Sequence, residues 1–316
     1  MAGGQWGMQA TLRREASLSG IGVHGGLPVS MTLLPADAGA GIAFVRTDVG
    51  EGGDRVVRAD LGHIGSTELC TTVAAAGLSV ATIEHLMAAL SVFGIDNALI
   101  EIDGPEVPVM DGSAEAFVDA IDRAGVATLD APRRYIRVLR PVQVAVGDAV
   151  AEFTPRDRLR VEVEIDFANE LVGRQTFAAD IDRDRFRRDL APARTFGFMA
   201  DVEQLWARGF ARGASLENAV VVADDRIVNP GGLRYPDEFV RHKALDAVGD
   251  LALAGAPILG CFRSRRGGHR LNVAALTALF ADADAWTFVS EPWRREAGHA
   301  EAPAGLAVAA FGPEAS

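Results

Sequence analysis

The apolar positions of this chain fall first into short alternating runs and then into longer helical stretches, and this order occurs twice. "TLRREASLSGIGVHGGLPVSMTLLPADAGAGIAFVRTD" alternates in short runs broken by Gly, Pro and Asp, the pattern of strands and turns. "TIEHLMAAL" opens a helical stretch from residue 82 to about 92, with Gly94 as its stop. "NALIEIDG" alternates as a strand and "PEVPVMDGS" is an irregular loop. "SAEAFVDAIDRAG" reads as a helix with Ser113 as N-cap and Gly125 beyond its end.

A break falls at "APRR", residues 131–134, and the order begins again. Strands are expected at "YIRVLRPVQVAVG" and "RLRVEVEIDF", a helix at "DRDRFRRDLA", then "DVEQLWARGFARG", the strand-like "NAVVVADDRIV" and the turn-rich "NPGGLRYPD". A strong helix, "EFVRHKALDAVGDLALAG", precedes the strand "APILGCFRSR" and a closing helix "NVAALTALFADADAW". Strands that cluster, instead of alternating one by one with helices, indicate an α+β fold. The division expected is residues 1–131 and 132–291, followed by a disordered tail at 292–316 rich in Ala, Gly, Pro and Glu.

Composition narrows the classes of function. The chain has 316 residues, 49% hydrophobic and 23% charged, enough for sizeable cores. A formal net charge of −12 argues against nucleic acid or an anionic membrane surface as a general partner. Two cysteines, Cys70 and Cys261, build no disulfide framework and point to a reducing, cytoplasmic setting. The first residues lack the apolar run of a secretory signal, and no window approaches 18 uninterrupted apolar residues. A soluble, intracellular protein is expected.

The chemistry gathers at a few positions. "TIEHLMAAL" sets Glu84 and His85 side by side in an otherwise apolar helix, although consecutive helical residues point roughly 100° apart. In "RHKALD", His242 and Asp246 are four apart and share one helical face. That pair is either an ion pair on a solvated face or two ligands of one Zn²⁺, with a third ligand from elsewhere and one position left for water. With His85 as that third ligand, Glu84 and His269 are left as base and acid for metal-assisted hydrolysis. The pattern is not HExxH, so the usual metalloprotease template does not apply. "RSRRGGHR" brings four arginines around Gly267, Gly268 and His269: a flexible loop beside a phosphate-binding patch, or a solvated turn. In "ARTFGF", Thr195 either bonds backbone or, beside a metal, polarises a carbonyl.

Together these stretches resemble the UDP-3-O-acyl-N-acetylglucosamine deacetylase family, the zinc amidases of lipid A biosynthesis. The resemblance rests on "SLSGIGVHGGLPVSMTLLPA", "STELCTTV", "ATIEHLMAAL", "GIDNALIEIDGPEVPVMDGSAEAFV", "ARTFGFM", "NPGGLRYPDEFVRHKALDAVGDLALAG" and "GGHRLN". They stand in the family's order and span residues 11 to 286 approximately. It implies two α+β domains of similar topology, each a sheet layered against helices, with the active site between them. It implies His85, His242 and Asp246 as ligands of one Zn²⁺, with Fe²⁺ as the other candidate metal. Glu84 is then the general base, His269 the general acid, and Thr195 the residue that helps polarise the acetamide carbonyl. Lys243 contacts the phosphate-bearing side of the substrate, and Phe196 and Gly197 line the nucleoside and sugar site. "DVEQLWARGFARGASLENAVVV" resembles the insert that holds the acyl chain, with Val202, Ala211, Ala214, Ser215 and Val221 as lining candidates. Cys70 and Arg266 join the substrate-contacting set.

Two departures stand out. The loop usually written Lys-Ser-Gly-His-Ala-Leu-Asn is "RGGHRLN", which keeps a positive charge at Arg266 but sets Gly267 where the family has Ser. "IDFANELVGRQTF" lacks the proline often found after Asn169. The resemblance implies hydrolysis of the N-acetyl group of a UDP-linked, 3-O-acylated glucosamine by a cytoplasmic monomer in peripheral contact with the inner membrane, without nucleic-acid partners. Two other readings stay open: a zinc amidase acting on a different acylated amino sugar, and a non-catalytic metal-containing binding protein.

Overall fold

The computed structural model describes residues 7–50 and 54–290. Two principal sheets account for most of the strands. Seven strands precede the first α-helix: β1 (Met8–Leu12), β2 (Ala16–Ile21), β3 (Pro28–Pro35), β4 (Ile42–Arg46), β5 (Val56–Arg58), β6 (Val73–Ala75) and β7 (Leu78–Val80). Helix α1 (Glu84–Val92), β8 (Ala98–Ile102), helix α2 (Glu115–Ala124) and β9 (Val126–Pro132) complete the first half. β2, β3, β8, β4 and β5 form one sheet in that order, antiparallel except for the β4–β8 pair. β3 buries Val29, Met31 and Leu33 on one face and leaves the residues between them more accessible, the period of two that the sequence shows.

The second half opens with β10 (Tyr135–Val138), β11 (Val142–Val146), β12 (Ala149–Pro155), β13 (Arg160–Asp166) and β14 (Arg174–Asp180). A helical turn α3 (Arg183–Arg185), β15 (Phe196–Phe198), the short helix α4 (Val202–Ala207) and β16 (Val220–Val222) follow. Helix α5 (Glu238–Leu251), β17 (Ile258–Arg265), helix α6 (His269–Ala281) and β18 (Trp286–Val289) close the described chain. β17 organises the second sheet: it pairs antiparallel with β12 and parallel with both β13 and β10, while β18 pairs with β10 and β14 with β13. α5 packs on β13 and β14, α6 on β11 and β12, and α1 packs on α5. The buried core therefore runs from Leu86 and Phe117 through Phe239 and Leu245 to Phe262. The fold is α+β, with each principal sheet drawn from one half of the sequence.

Several local expectations are corrected. Ser113 is not the N-cap of α2; Ala114 is, and the Ser113 hydroxyl instead accepts from the Glu115 N–H at 3.3 Å. "DRDRFRRDLA" is one α turn, capped by Asp182, that widens into a π turn over residues 186–190. The closing helix starts at His269, earlier than expected, and ends at Ala281, where Asp282 organises a turn by accepting from Asp284 N and Ala285 N. Trp286 then starts a strand. The extended strand β9, paired with β1, runs through the expected break at 131–132, where we propose the division between the two units. The expected disordered tail lies outside the described residues. Among the described residues no helix is long and apolar enough to cross a membrane.

Candidate metal centre

Helix α1 starts where the chain is forced to turn. Thr82 is in the left-handed region, φ 58°, and its hydroxyl donates to Glu106 Oε1 at 3.0 Å. Ile83 is already in the right-handed helical region and Glu84 is the first residue of α1, so Glu84 and His85 project from the helix's first turn. Glu84 through Leu90 are all buried, as expected of a helix apolar on every face. A carboxylate at the N-terminal turn also gains from the helix dipole. Glu84 Oε2 accepts from the Thr71 N–H at 3.1 Å.

Helix α5 supplies the facing row. His242, Asp246 and Asp250 follow at intervals of four on one face, all buried. Gly249 permits the contact with α1, because a Cβ built there would lie 1.9 Å from the backbone oxygen of Glu84. The approach brings His85, His242 and Asp246 together, each offering a ligand atom within 4.8 Å of the others. Nε2 of His85 and Nε2 of His242 each lie 3.4 Å from Asp246 Oδ1. Ligands at roughly 2.1 Å in tetrahedral geometry sit about 3.4 Å apart, so the spacing fits one metal ion. Asp246 Oδ1 is buried without a hydrogen-bond partner, an expensive state for a carboxylate oxygen unless a cation compensates it.

The surroundings prepare these atoms. His242 Nδ1 faces the Ala193 carbonyl at 3.0 Å; donating there leaves the Nε2 lone pair for a metal. Burial pushes the His242 pKa down to about 3 against the pull of Asp246, so the imidazole is neutral, as a ligand must be. Burial alone would raise the Asp246 carboxyl, but His242 and Lys243 hold it well below the usual range. Lys243 Nζ donates to Asp246 Oδ2 at 2.8 Å and stands 5.7 Å over the Phe196 ring.

His269 is not on a flexible loop; it is the first residue of α6 and is buried. Its Nε2 lies 3.6 Å from Glu84 Oε1 and 4.0 Å from Asp246 Oδ2. Its Nδ1 bonds Asp250 Oδ2 at 2.9 Å, and Asp250 also accepts from Thr71 Oγ1 at 2.6 Å and Asn272 Nδ2 at 2.8 Å. Burial would lower the His269 pKa, but Asp250 and Glu84 outweigh it and raise it to about 9. Burial raises the Glu84 pKa. The site thus holds a protonated imidazole beside a carboxylate of increased basicity. Asp250, Thr71 and Asn272 escaped the sequence reading. Asp250 carries a signal, since it continues the four-residue spacing of His242 and Asp246, whereas Thr71 reaches it across 179 residues with none.

The remaining candidates are more dispersed. Thr195 precedes β15 and follows Ala193 by two; its N–H donates to Gly112 O at 2.7 Å. Phe196 touches the rings of Phe239 and His242, with centroids at 4.8 and 6.3 Å, and Gly197 pairs with Val221 in the β15–β16 ladder. Val202 starts α4, Ala211 has φ 54° and accepts from Trp206 Nε1, Ala214 is exposed, and Ser215 closes a turn with Asn218. Cys70 is buried, and burial, with Glu84 adding, pushes its thiol up to about 12, so it stays protonated. The arginine run is not a free cationic cluster. β alternation sets Arg263 against Glu152 and Glu162 and Arg265 against Glu164, and Arg266 pairs with Asp166 at 3.6 Å. The left-handed residue of that loop is Arg266, φ 54°, and not Gly267.

Residues 9–281 match the sequence profile of the UDP-3-O-acyl N-acetylglycosamine deacetylase family. The chain is similar to proteins named UDP-3-O-acyl-N-acetylglucosamine deacetylase from Brucella ovis, Brucella canis and Brucella melitensis. Each is 55% identical over 282 residues, covering 89% of this chain and 98% of the relative.

Proposed function

The chain belongs to the UDP-3-O-acyl N-acetylglycosamine deacetylase family, and from that premise we propose how its own residues carry out the reaction. It is an amide hydrolase: it removes the N-acetyl group of a UDP-linked, 3-O-acylated N-acetylglucosamine, giving the amine and acetate, the deacetylation step of lipid A biosynthesis. The observation that carries the assignment of roles is the buried Asp246 Oδ1, without a hydrogen-bond partner, between two imidazole nitrogens, with Glu84 and His269 beside it.

We assign His85, His242 and Asp246 to a divalent metal, Zn²⁺ in our reading and Fe²⁺ as the alternative. Once bound there, the metal supplies Lewis acidity toward water and the acetamide carbonyl. Glu84 takes the proton of the attacking water at Oε1, helped by the basicity that burial confers. His269, protonated, delivers a proton from Nε2 to the departing nitrogen. Asp250 orients the His269 ring by accepting from Nδ1, which keeps Nε2 directed toward Glu84. Thr195 helps polarise the carbonyl, and Lys243 holds Asp246 ionised while facing the substrate's phosphates. Phe196 and Gly197 line the sugar and nucleoside, while Val202, Ala211, Ala214, Ser215 and Val221 take the acyl chain. Arg266 and Cys70 complete the substrate surroundings. We read the enzyme as a cytoplasmic monomer that meets its acylated substrate at the membrane surface.

A chelator should abolish acetate release, and stoichiometric Zn²⁺ should restore it; activity untouched by complete metal removal overturns the reading. Substrates lacking the UDP or the acyl group test specificity: equal kcat/KM for all three would favour an amidase of another acylated sugar. Asp250→Asn removes the carboxylate that does most, ahead of Glu84 and Asp246, to hold His269 protonated, so its pKa falls. The alkaline limb of the kcat profile should move to lower pH, and kcat should drop by about 10- to 100-fold. An unmoved limb would remove Asp250 from this role.

A further inference from the structure

One buried carboxylate outside the metal centre has donors on both oxygens and no part in the chemistry above. Glu106, 6% exposed, accepts from His24 N–H at 2.8 Å and Thr82 Oγ1 at 3.0 Å on Oε1, and from Gly25 N–H at 2.8 Å on Oε2. The chain is fitted around it: a Cβ on Gly22 would stand 2.4 Å from Oε2.

Its partners belong to two parts of the enzyme that the reaction must bring into register. Thr82 is the left-handed residue two positions before Glu84, so the Glu106 bond fixes where α1 begins. His24 and Gly25 belong to the loop on which the acyl-binding segment rests. Arg212 N donates to His24 O at 3.2 Å and Gly213 N to Val23 O at 3.0 Å. The His24 ring meets Phe210 edge-on, with centroids 5.4 Å apart. A Cβ on Gly213 would lie 2.3 Å from Gly22 O, so the two backbones are in direct contact. Acyl-segment, loop 22–26, Glu106, Thr82 and Glu84 are thus consecutive in contact, and Glu106 is where the halves of that path join.

We propose that Glu106 is a positioning residue that couples seating of the substrate's acyl chain against residues 202–221 to alignment of Glu84 at the start of α1. The proposal rests on the functional reading above. It says that a well-fitted acyl chain raises turnover, and not binding alone, because the loop it presses on is tied to the catalytic helix.

The test uses the full-length, metal-loaded enzyme and two substrates, one with a long and one with a short 3-O-acyl chain. Metal content and thermal unfolding are measured on the same samples. The wild type should turn over the long-chain substrate faster. Glu106→Gln keeps the shape but leaves one acceptor oxygen for three donors. Its long-chain kcat should fall about tenfold, the scale of one charge-assisted hydrogen bond, with short-chain kcat changed by less than about threefold. Thr82→Val, which removes the hydroxyl bond from the start of the catalytic helix to Glu106 and the weaker one to Cys70, should collapse the chain-length ratio in the same way. A parallel fall in kcat for both substrates, or a wild-type ratio in either folded variant, overturns the coupling. If Glu106→Gln does not fold, the ratio in Thr82→Val decides. A wild type inactive on both substrates instead overturns the functional reading, and the coupling with it.

Discussion

Glu84→Gln should give a folded, metal-loaded protein whose kcat is lower by roughly 10²- to 10⁴-fold, the range that general-base catalysis contributes. The amide keeps the side-chain volume and can still accept from the Thr71 N–H, so the start of α1 has no reason to move. What disappears is the capacity to take a proton. The competing assignment makes Glu84 a ligand, since Glu84, Asp246 and His269 also bring three donor atoms within 4.8 Å. Two observations weigh against that set. His269 Nε2 lies 3.6 Å from Glu84 Oε1 and 4.0 Å from Asp246 Oδ2, both longer than the 3.4 Å that separates Asp246 Oδ1 from each of the other two imidazoles. Asp246 Oδ1, the oxygen without a hydrogen-bond partner, sits equally far from His85 and His242. Metal stoichiometry and kcat measured on one preparation separate the two assignments. Metal lost in proportion to activity would make Glu84 a ligand, and turnover near the wild-type rate would remove it from catalysis.

How much of this was legible in the sequence follows the range of each interaction. Helices α1 and α5 and the alternation of β3 and β13 depend on local periodicity, and they stand where the pattern puts them. The pairing of His242 with Asp246 is helical geometry, which spacing alone reveals. The start of α6 was not legible, because "RGGHR" has the composition of a loop. The buried bond from His269 to Asp250 holds that residue as a helix start, and the partner is 19 residues away. The arginine run misled for a related reason: which carboxylates face Arg263 and Arg265 is decided by strand register between β12, β13 and β17. Glu106 was equally silent, since its three donors come from positions 24 to 82 residues distant. The adjacency of Glu84 and His85 was legible as an oddity; the left-handed Thr82 before them gives its structural setting.

Gly249→Ala should be strongly disruptive although it adds a single methyl group. In an exposed helix the same replacement would stabilise by about 1 kcal/mol. Here the added carbon would meet the Glu84 backbone oxygen at 1.9 Å, with the Glu84 carbonyl carbon and Cα at 2.7 and 3.0 Å. Overpacking typically costs about 1–3 kcal/mol, and more where the obstacle cannot turn aside. The obstacle is backbone in a helix buried on all sides, so the upper end of that range applies and the propensity gain is overwhelmed. The methyl also pushes on the residue that bears the base, next to a ligand. A shift of about 1 Å in reacting groups costs on the order of 10²-fold in rate, so activity should fall even in molecules that remain folded. Thermal unfolding and kcat per bound metal, taken together, check both halves of this expectation. A raised melting temperature with kcat within about twofold of wild type would mean that α1 and α5 part without consequence. In that case the close contact of the two helices would not be what holds Glu84 and His85 against His242 and Asp246.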